Sequence, residues 1–183
     1  MKHLALGLCL AAAPVGAEQE VLQHWYAGFE PDQNYWAQKE IRTYIIESVP
    51  GCAPALREAI ARLNNVISKL KFSEVLTPPV DLWLGCGEYK FAHVGTRPQV
   101  GSTYCRVGAF PDNSYKWCIV RVSTGREASL VKCTAAHELG HVLGLGHYNG
   151  AGEGKQLMSH NRDYTEESCH PSTEALNALR IEE

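Results

Sequence analysis

The stretch from His137 to His147 constrains this chain more than any other feature, because few backbone paths can bring its histidines together. His137 and His141 are four residues apart, so on an α-helix they lie on one face, one turn apart. Gly144 follows at a position where a glycine in the left-handed conformation can end a helix and turn the chain. We therefore expect a helix that ends near Gly144 and a return that brings His147 to the first two histidines.

Three neutral imidazoles suit Zn²⁺ and leave its fourth tetrahedral position to water, which distinguishes a catalytic zinc site from a structural one. Zinc lowers the pKa of a bound water from about 15.7 to about 7. Glu138 is adjacent in sequence to a ligand and is the candidate general base for that water. The pattern predicts one catalytic Zn²⁺ held by His137, His141 and His147. The alternative is a helix face that carries histidines without a metal, and five specified residues at fixed offsets argue against it.

Met158 follows the histidine motif by eleven residues, in the sequence Gln156-Leu157-Met158-Ser159. With the long motif and this methionine, the chain resembles the metzincin clan of zinc endopeptidases, in which a tight turn places a methionine beneath the zinc-binding imidazoles. Taken alone, Met158 could equally be an apolar residue that fills a gap in the core. The resemblance implies a zinc-dependent endopeptidase that hydrolyses peptide bonds with a zinc-bound water activated by Glu138.

The N-terminus has the pattern of a secretory signal peptide over residues 1–17. Lys2 supplies a positive start, Leu4 to Ala13 is an apolar run, and Val15-Gly16-Ala17 is a small-residue cleavage site. We therefore expect a secreted, extracellular protein.

The remaining chain is predicted to contain an N-terminal segment over residues 18–35, interpreted as a short propeptide, and one catalytic domain over residues 36–183. The formal net charge is −3, and the sequence has no basic cluster of the kind that binds nucleic acid. No later segment has eighteen uninterrupted apolar residues, so we expect no membrane partner. The expected partners are protein or peptide substrates, and the expected state is a monomer.

The cysteines also favour an oxidising compartment. Cys9 lies in the predicted signal peptide, which leaves Cys52, Cys86, Cys105, Cys118, Cys133 and Cys169. Six cysteines in a small secreted domain indicate disulfides, and they allow fifteen pairings. Our preferred hypothesis joins Cys52 to Cys86, Cys105 to Cys118, and Cys133 to Cys169. The last pair would tether the start of the metal-binding helix to the segment before the C-terminal helix.

The hydrophobic pattern predicts a domain of the α+β class, with an α/β N-terminal part. A strand is expected over residues 41–49 and an amphipathic helix over residues 54–71, with apolar positions at three- and four-residue steps. Strands are expected over residues 72–76 and 80–84. A strand, helix, strand order implies a parallel pair with a crossover helix.

The second half of the chain is predicted to contain the site. Residues 87–115 are polar and lack periodicity, so we expect a long surface loop. Residues 117–122 are predicted to form a strand, which the metzincin resemblance would place at the edge of the sheet beside the active-site cleft. Helices are expected over residues 129–143 and 173–181. This order resembles a metzincin-like zinc peptidase domain, with a twisted mixed sheet, a backing helix, an active-site helix and a C-terminal helix, nearest to the matrixin branch.

Several further residues have a candidate role beside an ordinary one. His160 and Tyr164 follow Met158, near where astacin-like relatives place a tyrosine close to the metal. His160 could stabilise an oxyanion or line a specificity pocket, or be a surface histidine. Asp32 lies in a segment that loosely resembles the aspartate switch of astacin propeptides, and the alternative is a solvated acidic turn. His93 and Asp112 are candidates for a second zinc or a calcium ion, although no ligand spacing supports them.

Two other functions stay open at this point. One is a non-catalytic secreted protein that contains zinc and binds peptides, and the other is a zinc hydrolase that acts on a non-peptide amide. Glu138 discriminates against the first, because a domain that only binds peptides does not need a carboxylate beside the metal.

Overall fold

The computed structural model describes residues 29–31, 36–67, 70–91, 93–94, 97–98, 100–108, 114–124, 128–148, 157–159 and 169–170. In chain order the elements are β1 (Phe29–Pro31), β2 (Glu40–Glu47), α1 (Ala53–Val66), β3 (Lys71–Glu74), β4 (Leu82–Gly87), β5 (His93–Val94), β6 (Arg97–Pro98), β7 (Gly101–Val107), β8 (Tyr115–Ser123), α2 (Ala128–Val142) and β9 (Leu145–Tyr148). The predicted signal peptide and the predicted C-terminal helix lie outside the described residues.

A five-stranded mixed sheet forms the centre of the fold, with the strand order β3-β2-β4-β8-β7. β2 pairs in parallel with β3 and with β4, and β4 pairs in parallel with β8. β7 is antiparallel to β8. The predicted α+β class and the predicted parallel pairing around the first helix are therefore confirmed.

The first helix is shorter than the sequence pattern predicts, and Asn64 supplies the reason. Its side-chain amide donates to the carbonyl oxygen of Phe72 at 2.8 Å and accepts from the Phe72 amide at 2.9 Å. Ile67 already has an extended conformation, with φ −100° and ψ 120°. The apolar spacing continues to Leu70, but these bonds require the chain to turn so that β3 can begin at Lys71. The prediction of a helix to residue 71 is wrong for this reason.

The predicted loop over residues 87–115 is also wrong in part, because β7 lies within it. β8 consequently lies between β4 and β7, and β7 ends the sheet among the described strands. The prediction that residues 117–122 form the edge strand is therefore wrong. β7 is half-buried over most of its length, so it lacks the clear alternation of apolar and polar residues that reveals a strand.

All three preferred disulfides are present. Cys52–Cys86 joins the start of α1 to β4, and Cys105–Cys118 joins directly opposed residues of β7 and β8. Cys133–Cys169 joins α2 to a later segment of the chain. These bonds tie both helices and the edge strand to the rest of the fold, which suits a small domain in an oxidising compartment.

The core lies between the inner face of the sheet and the two helices. Its most completely buried aliphatic side chains come from all of these elements: Ile41, Leu56, Leu63, Leu82, Leu84, Val120, Val122, Leu139 and Val142. Burying a side chain of this size contributes about 1.5–3 kcal/mol. Within the described part of the chain, neither helix is long and apolar enough to cross a membrane.

Asp81 connects the three central strands. Its carboxylate accepts from the backbone N–H of Arg42 at 2.8 Å and from the guanidinium of Arg42 at 2.8 and 2.7 Å. Its backbone oxygen accepts from the amide of Cys118 at 2.8 Å. Burial by itself would raise the pKa of this carboxyl, but the hydrogen bonds from Arg42 and Gln38 lower the pKa below its ordinary value.

We predict that Asp81→Asn lowers the free energy of unfolding by about 2 kcal/mol at pH 7, since it removes a charge-assisted hydrogen-bond pair. The pKa is lower in the folded state than the value of about 3.9 in the unfolded chain, so the charged group stabilises the fold above that value. Its contribution is lost as the pH falls through the folded-state pKa. Denaturant unfolding at pH 7 and at low pH should therefore show a difference between the two proteins that shrinks on acidification. A difference that grows would contradict this.

Candidate metal centre

Helix α2 carries the first two histidines, and it is buried on several sides. Its own residues Val131, Ala135 and Leu139 belong to the buried core. The helix spans Ala128–Val142, within one residue of the prediction at each end. His137 is buried and His141 is half-buried, so both side chains lie in a partly enclosed environment.

The helix ends where the sequence pattern requires a turn. Gly144 has a φ of +85°, in the left-handed region that favours glycine. Its amide donates to the carbonyl oxygen of His141 at 3.0 Å. β9 begins at the next residue and runs back beside the helix, so that His147 reaches the two histidines of α2. The last turn is also held by Trp36, whose indole N–H donates to the carbonyl oxygen of Val142 at 2.7 Å.

The three imidazoles converge. The ring centroids of His137 and His141 are 4.8 Å apart, those of His137 and His147 are 5.3 Å apart, and those of His141 and His147 are 4.6 Å apart. One potential ligand atom from each lies within 4.8 Å of the other two. The Nε2 atoms of His141 and His147 are 3.2 Å apart. Nitrogens bound to one tetrahedral zinc at 2.0–2.1 Å are about 3.3 Å apart. The His141–His147 pair already has this spacing, and the three histidines together could hold a metal ion.

Two backbone carbonyls determine which nitrogen faces the site. Nδ1 of His137 lies 2.6 Å from the carbonyl oxygen of Leu157, and Nδ1 of His141 lies 2.8 Å from that of Leu145. A carbonyl oxygen can only accept, so each Nδ1 carries the proton. In the neutral imidazole Nε2 then has a free lone pair, which is the form that binds a metal.

Met158 lies against the same helix. Its side chain is 1% exposed. A Cβ placed on Gly140 would clash with the Met158 sulfur and lie 3.1 Å from its methyl carbon. The sulfur therefore packs on the turn of α2 between His137 and His141. The segment 157–159 thus supplies both this contact and the carbonyl that orients His137.

Glu138 lies beside the first histidine, under the edge strand of the sheet. It is 6% exposed. The hydroxyl of Thr103 in β7 lies 2.7 Å from Oε2 of Glu138 and 3.0 Å from its backbone oxygen. Sequence reasoning missed Thr103, because this part of the chain was interpreted as a loop. The carbonyls of Leu145 and Leu157 were also missed, since backbone groups leave no signal in the identity of a residue.

The structure does not describe the side chains of the other candidate residues. Asp32, Asp112, His160 and Tyr164 lie outside the described residues, and so does the side chain of His93. β1 does pair antiparallel with β9, with Phe29 opposite Tyr148 and Pro31 opposite Leu145. The segment before Asp32 therefore lies along the strand that carries His147.

Comparisons with protein-family models and with curated proteins give no match to this chain. The function must therefore be argued from the geometry and chemistry of the site.

We predict that the purified chain binds one equivalent of zinc, and that replacing His141 and His147 together by alanine abolishes this binding. Two nitrogen ligands of three are then missing, so the site can no longer close around the ion. Metal analysis after dialysis against trace zinc measures the effect. His170→Ala is the control, since this exposed histidine contacts Arg62 at 3.0 Å rather than the site. Stoichiometric zinc in the double variant would contradict the assignment.

Proposed function

We propose that this protein is a secreted zinc-dependent endopeptidase of the metzincin type, nearest to the matrixin branch. The observation that carries the proposal is the convergence of His137, His141 and His147 with a glutamate on the same turn of helix. The distances and hydrogen bonds of these groups support it, as does Met158, which packs on Gly140 of the same helix.

Zinc is the metal that we propose for this donor set. Three imidazole nitrogens without a thiolate or carboxylate among them suit Zn²⁺, while Ca²⁺ and Mg²⁺ require oxygen ligands. Bound zinc would act as a Lewis acid and lower the pKa of a water to about 7. His137, His141 and His147 would hold the ion and would leave a fourth coordination position for water or substrate.

Glu138 is the proposed general base. Its carboxylate accepts the proton of the attacking water and then returns a proton to the amine nitrogen that leaves the scissile bond. Thr103 donates to Oε2 of this carboxylate, and a hydrogen bond of this kind limits the side-chain rotamers available to the base. Neither transfer requires a covalent bond between the enzyme and the substrate.

The proposed substrate is an extended segment of a protein or peptide. β7 ends the sheet among the described strands, and it touches Glu138 through Thr103. An extended peptide can pair with such an edge through backbone hydrogen bonds, which bind most sequences and so suit an endopeptidase. Pairing on β7 would place a peptide bond of the substrate near the metal and the base.

The fold supports this proposal at a coarser level. The metzincin resemblance implies a mixed sheet with a backing helix, followed by the helix that carries the first two histidines. The described elements have this order, and the chain turns at Gly144 after α2. The three disulfides support secretion, because such bonds persist in oxidising compartments.

We predict that Glu138→Gln retains zinc and loses activity by a factor of about 10² to 10⁴. Glutamine keeps the shape of the side chain and an oxygen that accepts from Thr103, but its amide cannot act as the base. Cleavage of an unfolded protein with and without a chelator measures the effect, with metal analysis of both proteins. Equal turnover would rule out Glu138 as the base. A wild-type protein that binds zinc and peptides but cleaves none would instead support the non-catalytic function.

The N-terminal segment over residues 18–35 remains our predicted propeptide. Its strand β1 pairs with β9, so its removal would free the strand that carries His147. We expect a chain that begins at Tyr35 to cleave an unfolded protein faster than one that begins at Glu18. Equal initial rates at equal zinc content would show that the segment does not restrain the site.

A further inference from the structure

We propose that Thr103 is the residue that positions the Glu138 carboxylate, so that the edge strand of the sheet orients the general base. The inference rests on the proposed function and adds a residue to it. It assigns Thr103 a role through Glu138 and not through contact with the substrate.

The first observation is the hydrogen bond between the two side chains. Oγ1 of Thr103 is 2.7 Å from Oε2 of Glu138. An ionised carboxylate can only accept, so the hydroxyl donates, and a bond to a charged acceptor is about twice as strong as one between neutral groups. The hydroxyl has one proton, and the backbone oxygen of Glu138 is farther away, at 3.0 Å. The carboxylate is therefore the better acceptor.

The second observation is the close approach of the β7 backbone to the other side of the glutamate. A Cβ placed on Gly101 would lie 2.5 Å from Oε1 of Glu138 and 2.8 Å from its Cγ. The space that a side chain would fill at residue 101 is therefore taken by the glutamate. Gly101 and Thr103 lie on the same face of the strand, because successive side chains alternate. One residue provides room for the carboxylate, and the other provides its hydrogen bond.

The third observation is that β7 is held rigidly enough to position a side chain. It pairs with β8 from Gly101 to Val107. The disulfide between Cys105 and Cys118 crosses this pair two residues beyond Thr103. A functional group is placed most accurately when its partner lies on a regular element whose own position is fixed.

The orientation of a base matters because proton transfer requires a short, aligned contact. Displacement of a reacting group by about 1 Å can lower a rate by about 10²-fold. Without the hydroxyl, Glu138 would keep its place in the sequence and on the helix but would have additional side-chain rotamers. We expect metal binding by the three histidines to be unchanged, since the carbonyls of Leu157 and Leu145, and not Thr103, accept from Nδ1 of His137 and His141.

The test compares Thr103→Val, which removes the hydroxyl and keeps the shape, with Thr103→Ser, which keeps the hydroxyl. We expect Thr103→Val to lower kcat by about 10- to 100-fold, with KM, zinc content and melting temperature close to those of the wild type. Thr103→Ser should recover most of kcat. Thr43→Val is the matched control. Thr43 is a buried threonine of β2, and its hydroxyl donates to the carbonyl oxygen of Ile41 on the same strand. The kcat of this variant should equal that of the wild type.

Crystal structures of the zinc-loaded variants give a readout that does not depend on activity. The Glu138 carboxylate should keep its position in Thr103→Ser and leave it, or take several orientations, in Thr103→Val. If Thr103→Val does not fold, Thr103→Ala takes its place in the comparison with Thr103→Ser.

The outcomes separate the two proposals. Absence of zinc-dependent cleavage by the wild type would overturn the proposed function itself. With an active wild type, the inference is overturned by any of three results: an unchanged kcat in Thr103→Val, an equal loss in Thr103→Ser, or a carboxylate that stays in place without the hydroxyl.

Discussion

The site depends on two hydrogen bonds between imidazoles and backbone carbonyls. The oxygens of Leu145 and Leu157 accept from Nδ1 of His141 and His137, so the lone pair of each of these imidazoles is on Nε2. A histidine in the other tautomer would present a proton there instead, and the metal would have to displace it. The carbonyls come from β9 and from the segment 157–159, so the site forms only when both segments pack against α2. Binding of a metal by these histidines would thereby be coupled to the tertiary fold, and not to the helix alone.

The rest of the fold can be understood as a means of holding these segments. Gly144 ends the helix and starts β9, while Met158 packs on Gly140 and sets the distance between the later segment and the helix. The sheet contributes from the opposite side, where β7 contacts Glu138. Three disulfides add covalent links between these parts, which a small domain with a limited core needs. The three histidines and the proposed base, Glu138, are therefore held by different parts of the fold.

The sequence predicted best the features that rest on local geometry. The helical period predicts that His137 and His141 lie on one face of a helix, and the conformational freedom of glycine predicts that the helix ends near Gly144. The order of the elements predicts the parallel strands. It predicted poorly wherever tertiary contacts decide. The bonds of Asn64 end α1 before its apolar pattern ends, and β7 has too little burial to show alternation. Thr103 and the two carbonyls could not be predicted. Every residue has a backbone oxygen, so the sequence does not indicate which one accepts a hydrogen bond, and no motif around Thr103 marks it as a partner of Glu138.

X-ray absorption at the zinc edge of the purified protein tests the central claim most directly, since it reports the ligand atoms themselves. Three imidazole nitrogens at about 2.0 Å, with multiple-scattering features of histidine, and one oxygen at a similar distance are expected. A shell with sulfur, a six-coordinate shell of oxygens, or protein that takes up no zinc would contradict the account.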